Sequence, residues 1–150
     1  MKMLVDTNVL VLLVIGMTDP EYIAKHKRTR TKYGVDHFNR LWDLVSQADG
    51  IVCTPNVVTE AANLLNQSRD PMRAELMRKL AELVVIWEEI YVPSRTAAVS
   101  PRFLRFGLTD TAILSLPERP VKILTDDLAL FAECFAVGLD AVNVTPFLYE

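Results

Sequence analysis

Short apolar runs that stop abruptly at polar or acidic residues limit most strongly what this chain can fold into. Met3-Leu4-Val5 runs into Asp6, Ile51-Val52-Cys53 into Thr54-Pro55, and Val121–Leu124 into Thr125-Asp126-Asp127. Lys2–Val5, Ile51–Cys53, Val121–Leu124 and Ala141–Val144 read as strands, and Ile90–Val92 as a strand edge. The segments between them carry helical signals. Short apolar strands alternating with helices imply a parallel sheet covered on both faces. In such a sheet, ligands bind beyond the carboxyl ends of the strands.

The helices are placed by spacing and caps. Thr7–Ile15 reads as a buried helix, with strand the competing assignment for so short an apolar run. Met17–Tyr33 is polar and basic, a loop with a short helix. Val35, Phe38, Leu41, Trp42, Val45 and Ala48 recur at helical spacing, so Val35–Ala48 is an amphipathic helix that Asp49-Gly50 stops. Thr54-Pro55 opens the next helix, with Thr as N-cap and Pro where no N–H is needed. Asp70-Pro71 repeats that device ahead of Met72, Leu76, Leu80, Leu83 and Val84. Ser94–Val99, Thr109–Leu116 and Leu128–Val137 are further helices. Trp42 and Trp87 read as core residues.

At 150 residues, 51% apolar and 23% charged, the chain has the size and composition of one globular domain spanning 1–150. Cys53 and Cys134 lie 81 residues apart without a CxxC or His/Cys cluster, so they read as buried thiols and not as a zinc site. The longest apolar run, Val9–Ile15, is seven residues. That is far short of the about 20 that span a bilayer. Asp6 and Asn8 interrupt the N-terminal apolar stretch as a signal peptide, so it reads as mature structure and the protein as cytoplasmic, without a membrane partner. The net charge of −3 argues mildly against a nucleic-acid partner.

The carboxylates sharpen the picture. Asp6 ends the first strand, and Asp126 and Asp127 follow another, so they fall on the sheet edge where sites are built. Glu60 borders the apolar stripe of the helix opened by Thr54-Pro55, and Asp110 shares a helix face with Ile113 and Leu114. Singly, Asp6, Asp110 and Asp126 read as helix caps, and Glu60 as a side chain reaching solvent. As a set, carboxylates brought together repel and are costly to bury unpaired. No Lys or Arg adjoins Asp6, Asp110 or Asp127. A divalent cation such as Mg²⁺ or Mn²⁺, which takes oxygen ligands and keeps waters, is the economical counter-charge.

In this arrangement the chain resembles the PIN-domain family. Met3-Leu4-Val5-Asp6-Thr7-Asn8 is similar to the opening strand motif of that family, Thr54-Pro55…Glu60 to its second acidic motif, Leu108-Thr109-Asp110 to the third, and Leu124-Thr125-Asp126-Asp127 to the fourth. The resemblance runs in order from Met1 to Asn143. It implies a three-layer α/β/α sandwich with a central parallel sheet of four or five strands. It also implies a metal-dependent endoribonuclease leaving 5′-phosphate and 3′-hydroxyl ends. Small single-domain members are commonly VapC-type toxins of type II toxin–antitoxin pairs, which implies an antitoxin partner and a homodimer. The resemblance carries the catalytic and metal-binding roles to Asp6, Glu60, Asp110 and Asp127, with Asp126 as a further ligand or water holder. Thr7, Asn8 and Thr125 match positions that orient the ligands from behind. Two Mg²⁺ or Mn²⁺ ions would bring the charge from −3 to about +1.

One region departs from the small-toxin pattern. Lys25, Lys27, Arg28, Arg30 and Lys32 fall within eight residues, beside His26 and Tyr33. Three readings stay open: a phosphate-gripping arm at the cleft mouth, a solvated mobile loop, or a surface for an acidic protein. His26 and His37 are poor candidates for catalysis. The competing class for the whole chain is a non-catalytic PIN-like module that binds RNA or protein. A phosphotransfer receiver or a DxD phosphatase fits worse, because the first strand ends in Asp6-Thr7-Asn8 and Thr-Asp-Asp follows Val121–Leu124.

Overall fold

The computed structural model describes residues 1–117 and 121–149. Five strands form one sheet: β1 (Lys2–Val5), β2 (Gly50–Cys53), β3 (Glu88–Glu89), β4 (Val121–Thr125) and β5 (Asp140–Asn143). Their order is β3-β2-β1-β4-β5, and every neighbouring pair is parallel. The chain builds outward from β1 to β3 on one side, then crosses β1 to lay down β4 and β5 on the other. The direction of winding therefore reverses between β1 and β4, the place where a parallel sheet opens a crevice at its carboxyl edge. The register sets Val5 against Leu124, and the Asp6 N–H donates to the Leu124 carbonyl at 2.9 Å. Asp6 is thereby set beside the residues that follow β4.

Helices α1 (Thr7–Thr18), α2 (Val35–Val45), α3 (Pro55–Leu65), α4 (Met72–Ile86), α5 (Ser94–Ala98), α6 (Phe103–Leu114), α7 (Leu128–Ala136) and α8 (Val144–Leu148) flank the sheet, giving the expected three-layer α/β/α architecture. A single turn of 3-10 helix occupies Pro20–Ala24. Among the described residues no helix is long and apolar enough to cross a membrane.

The core is organised around α1. Val9 through Gly16 are all buried, so this helix is apolar all round, as an interior helix must be. It packs against α2, α3 and α4. At Gly16 it packs tightly on α2: a Cβ there would lie 2.2 Å from the Phe38 ring. Met3, Leu4 and Val5 of β1 and Ile123 and Leu124 of β4 complete the centre. Both cysteines are buried and unbridged.

Several local expectations change. Thr54 caps α3 as expected, accepting from the Val57 N–H at 3.2 Å. Asp70 does not cap α4: the helix begins after Pro71, which has no side-chain oxygen, and Asp70 pairs instead with Arg73 at 3.1 Å. The edge strand is Glu88–Glu89, ahead of Ile90–Val92. Only the Ile90 N–H continues its ladder, to the Cys53 carbonyl at 2.8 Å, and Ile90 and Val92 are buried from a loop. Trp42 is not a core residue. Phe38, Leu41 and Val45 form the buried stripe of α2, and Trp42 lies on its shoulder, 42% exposed and stacked on Phe38 at 6.3 Å. Trp87 is half-buried against the core.

Candidate functional site

The site grows from two backbone ends. β1 stops at Asp6, whose backbone is extended and whose carboxylate caps α1, accepting from the Thr7 N–H at 2.7 Å. β4 stops at Thr125. Its hydroxyl donates to the other Asp6 oxygen at 2.7 Å and accepts the Asp127 N–H at 3.0 Å. Asp127 in turn caps α7, accepting from the Leu130 N–H at 3.0 Å. Thr125 therefore ties the two strand ends together through one oxygen. The capping roles of Asp6 and Asp127 leave both carboxylates lining the same cleft.

Asp126 is not a helix cap. Its carboxylate turns to α1 and to the segment before α2, accepting from the Asn8 amide at 3.2 Å and the Tyr33 hydroxyl at 3.4 Å. Glu60 comes from the second turn of α3 and accepts the Thr7 hydroxyl at 3.1 Å. Asp110 comes from the crossover. Gly107 breaks α6 with φ 77°, a left-handed conformation that glycine adopts without the Cβ penalty, and Leu108–Asp110 restart the helix.

Asp6, Glu60, Asp110, Asp126 and Asp127 all line one cleft of about 880 Å³. None makes an ion pair with a Lys or Arg among the described residues. The electrostatic result is visible at Asp110. Burial raises its carboxyl, and the charges of Asp6, Asp127, Glu60 and Asp126 raise it further, to about 7. Burial also raises Asp6, and the hydrogen bonds from Thr125 and Thr7 oppose that shift. Behind the cleft, the Cys134 thiol is pushed up to about 12 by burial and then by Asp6 and Asp110, so it stays a neutral packing group.

The donor set is all oxygen and several-fold negative, the chemistry that suits Mg²⁺ or Mn²⁺. It is a spread set. Among the described residues no group of three or more His, Cys, Asp or Glu side chains stands ready to hold a metal ion. An ion here would be held by one or two carboxylates and complete its shell with water, the usual habit of Mg²⁺.

The cleft has walls that the sequence pattern did not single out. Asn56, Thr59 and Asn63 line it from α3, and Phe106 lines it from the turn before Gly107. Asn56, Glu60 and Asn63 follow an i, i+4, i+7 rhythm, a polar stripe legible in the sequence as one helix face. Tyr33 also joins the site, through its bond to Asp126.

The basic segment is anchored and not a free loop. Between Lys25 and Tyr33 the chain makes successive turns, including His26 N–H to Tyr22, Arg30 N–H to His26 and Tyr33 N–H to Thr29. His26 and Thr29 are fully buried within it. The His26 ring accepts the Arg28 N–H at Nδ1 (3.0 Å), which leaves Nε2 to donate to the Leu65 carbonyl (3.2 Å). Burial lowers its pKa, so the ring is a neutral strut. Lys25, Lys27, Arg28, Arg30 and Lys32 are exposed around it. His37 is half-buried and accepts the Gly34 N–H at 2.8 Å, a capping role for α2.

Neither a known family model nor a curated protein matches the chain.

Proposed function

We propose that this protein is a metal-dependent endoribonuclease of PIN type that hydrolyses RNA phosphodiester bonds, a VapC-like toxin of a type II toxin–antitoxin pair. One observation carries this reading. Five carboxylates from four separate segments line one cleft at the switch point of a parallel sheet, with no cation among the described residues opposing them. A fold that only needed helix caps would not gather Glu60 and Asp110 to the same place. Burial, and after it the charges of its neighbours, raise Asp110 to about 7, and divalent cations entering the cleft would relieve that repulsion.

Asp6 and Asp127 are the principal ligands, and Glu60, Asp110 and Asp126 complete the set or hold waters. When bound, Mg²⁺ or Mn²⁺ supplies a Lewis acid that neutralises charge at the scissile phosphate and lowers the pKa of attacking water. The chain's own work is positioning. Thr125 fixes Asp6 against Asp127, Thr7 fixes Glu60, and Asn8 fixes Asp126. Asp110 lines the same cleft as these ligands, where its carboxylate can hold a water. The same reading brings a cognate antitoxin, a homodimer and a cytoplasmic setting.

A second reading is a non-catalytic PIN-like module that binds RNA or protein, for which the Asn56, Thr59 and Asn63 side chains along the cleft offer donors and acceptors. Incubating the purified protein with a mixed RNA pool and Mg²⁺ or Mn²⁺, beside Asp6→Asn, separates the two. Cleavage by the native chain alone supports the nuclease. Equal degradation by both removes the proposed site. No cleavage, together with no thermal shift on metal titration, leaves the binding module.

A further inference from the structure

Beside the acidic cleft lies a second concavity of opposite character. It is a recess of about 160 Å³ whose lining includes Lys27, Arg28, Thr31, Lys32, Tyr33 and Asn8. We propose that this recess is a phosphate-binding subsite, seated by Lys27, Arg28 and Lys32, that takes a backbone phosphate of the RNA strand lying in the cleft. The source of the phosphate rests on the nuclease reading; the anion chemistry does not.

Three observations support it. First, the three cations share one polar concavity, and none has a carboxylate partner among the described residues. Elsewhere in the chain cations do find partners, as in Arg102–Glu133 at 2.6 Å and Lys79–Glu82 at 3.1 Å. Second, the backbone that carries them is fixed from below. His26 is buried with both ring nitrogens engaged, and the buried Thr29 hydroxyl donates to the Ile23 carbonyl at 2.8 Å. Like charges are thus held at one place by the fold, and an anion between them relieves the repulsion. Lys ammonium, the Arg fork and the Thr31 hydroxyl are all donors, the complement of a phosphate's acceptor oxygens.

Third, the recess and the cleft share a wall. Asn8 lines both, and Tyr33, which lines the recess, donates its hydroxyl to Asp126 in the cleft. A strand with one phosphate in the cleft has a neighbouring phosphate close to the recess. Lys25 and Arg30 belong to the same run but do not line it. The subsite therefore singles out three of the five basic residues.

The test uses isotope-labelled, metal-free protein titrated at low salt with three probes: inorganic phosphate, a short single-stranded RNA with a 5′-hydroxyl, and the same RNA with a 5′-phosphate. Saturable amide shifts over residues 27–33 are expected with all three. They should vanish in Lys27→Gln/Lys32→Gln and persist in Arg69→Gln/Arg78→Gln, a charge-matched pair outside recess and cleft. The Lys variant should also flatten the salt dependence of RNA affinity, by about 0.7 in log–log slope for each phosphate that is no longer engaged. Shifts with inorganic phosphate and the 5′-phosphate RNA alone overturn the backbone-phosphate assignment and make the recess a terminal-phosphate site. Shifts that are non-saturable, or that survive in the Lys variant, overturn the subsite itself. Because the measurement needs no metal, it is independent of cleavage. Loss of the nuclease reading with these shifts intact leaves the subsite standing.

Discussion

The acidic cleft and the basic recess meet at Asn8, Tyr33 and Asp126, yet they are assembled in opposite ways. In the cleft, carboxylates arrive from the ends of β1 and β4 and from α3 and α6, segments far apart in sequence, and hydrogen bonds from Thr7, Asn8 and Thr125 hold Glu60, Asp126 and Asp6 against mutual repulsion. In the recess, the charges come from one continuous stretch, and what holds them is a buried neutral histidine and a buried threonine underneath. Both sites gather like charges that a ligand of opposite sign would relieve, but only the recess depends on a single buried support beneath one stretch of chain. Removing a charge should therefore damage function in the cleft without harming the fold. Removing the strut should harm the fold.

The largest expected effect is on cleavage. Asp6→Asn keeps the shape and the N-cap, since Asn accepts the Thr7 N–H as Asp does. The Thr125 hydroxyl can turn to accept from the new amide. Activity should fall at least about a hundredfold, because even residues behind a metal ligand are worth 10–100-fold. Metal-free thermal stability should hold or rise, because burial already disfavours the Asp6 charge. A variant that unfolds would show that Asp6 serves α1 as a cap above all else.

His26→Ala should give the opposite pattern. It empties a fully buried position, orphans the Arg28 N–H and leaves the Leu65 carbonyl with the Ser68 hydroxyl alone. The cost should be roughly 2–4 kcal/mol in denaturant unfolding. Phosphate-induced shifts over 27–33 should weaken in parallel. A loss below about 0.5 kcal/mol would fit a surface residue and would erase the contrast between the two regions.

Stability against pH sharpens the same contrast. The Asp110 carboxyl stands at about 7, up from an ordinary 3.8. A carboxyl raised on folding contributes fully below its unfolded value, and that contribution is lost as pH rises through the folded value. Metal-free protein should therefore lose melting temperature between about pH 4 and pH 7 from this group, and Asp6 moves in the same direction. Asp110→Asn should flatten that fall, and added Mg²⁺ should restore stability most at the alkaline end. An unchanged profile in the variant would mean that Asp110 is not under the strain of its neighbours.

The sequence was most legible where chemistry is local. Short apolar runs ending at Asp6, Thr54 and Thr125 marked strands, edges and direction, because a parallel strand buried on both faces leaves no other pattern. Thr54-Pro55 worked as a cap signal, and Asp70-Pro71 failed because a cap needs its side chain at the residue before the first turn. Position alone does not show which of Asp126 and Asp127 caps the next helix: by sequence Asp126 reads as the cap, and the length of β4 instead makes Asp127 cap α7 and turns Asp126 to Asn8. Glu88–Glu89 was hidden because an edge ladder is made by backbone and needs no apolar side chains. His26 was illegible for a different reason. Its partner, the Leu65 carbonyl, is 39 residues away, and no local pattern marks a histidine in a basic run as buried.

The smallest effect probes the shared wall. The Tyr33 ring packs against His37 and Tyr149, with centroids 5.8 and 6.4 Å away, so Tyr33→Phe preserves the packing and removes only the hydroxyl. That hydroxyl is a firm donor, since burial and the Asp126 charge both hold its proton on. Its bond to Asp126 is long, at 3.4 Å, and the Asn8 amide at 3.2 Å remains. The loss should be about 0.5 kcal/mol, the low end for a hydrogen bond, with cleavage reduced no more than a few-fold. The informative measurement is a double-variant cycle with Lys27→Gln/Lys32→Gln, read in RNA affinity. Coupling beyond about 0.5 kcal/mol would make the wall a link between recess and cleft; simple additivity would make them neighbours that act independently.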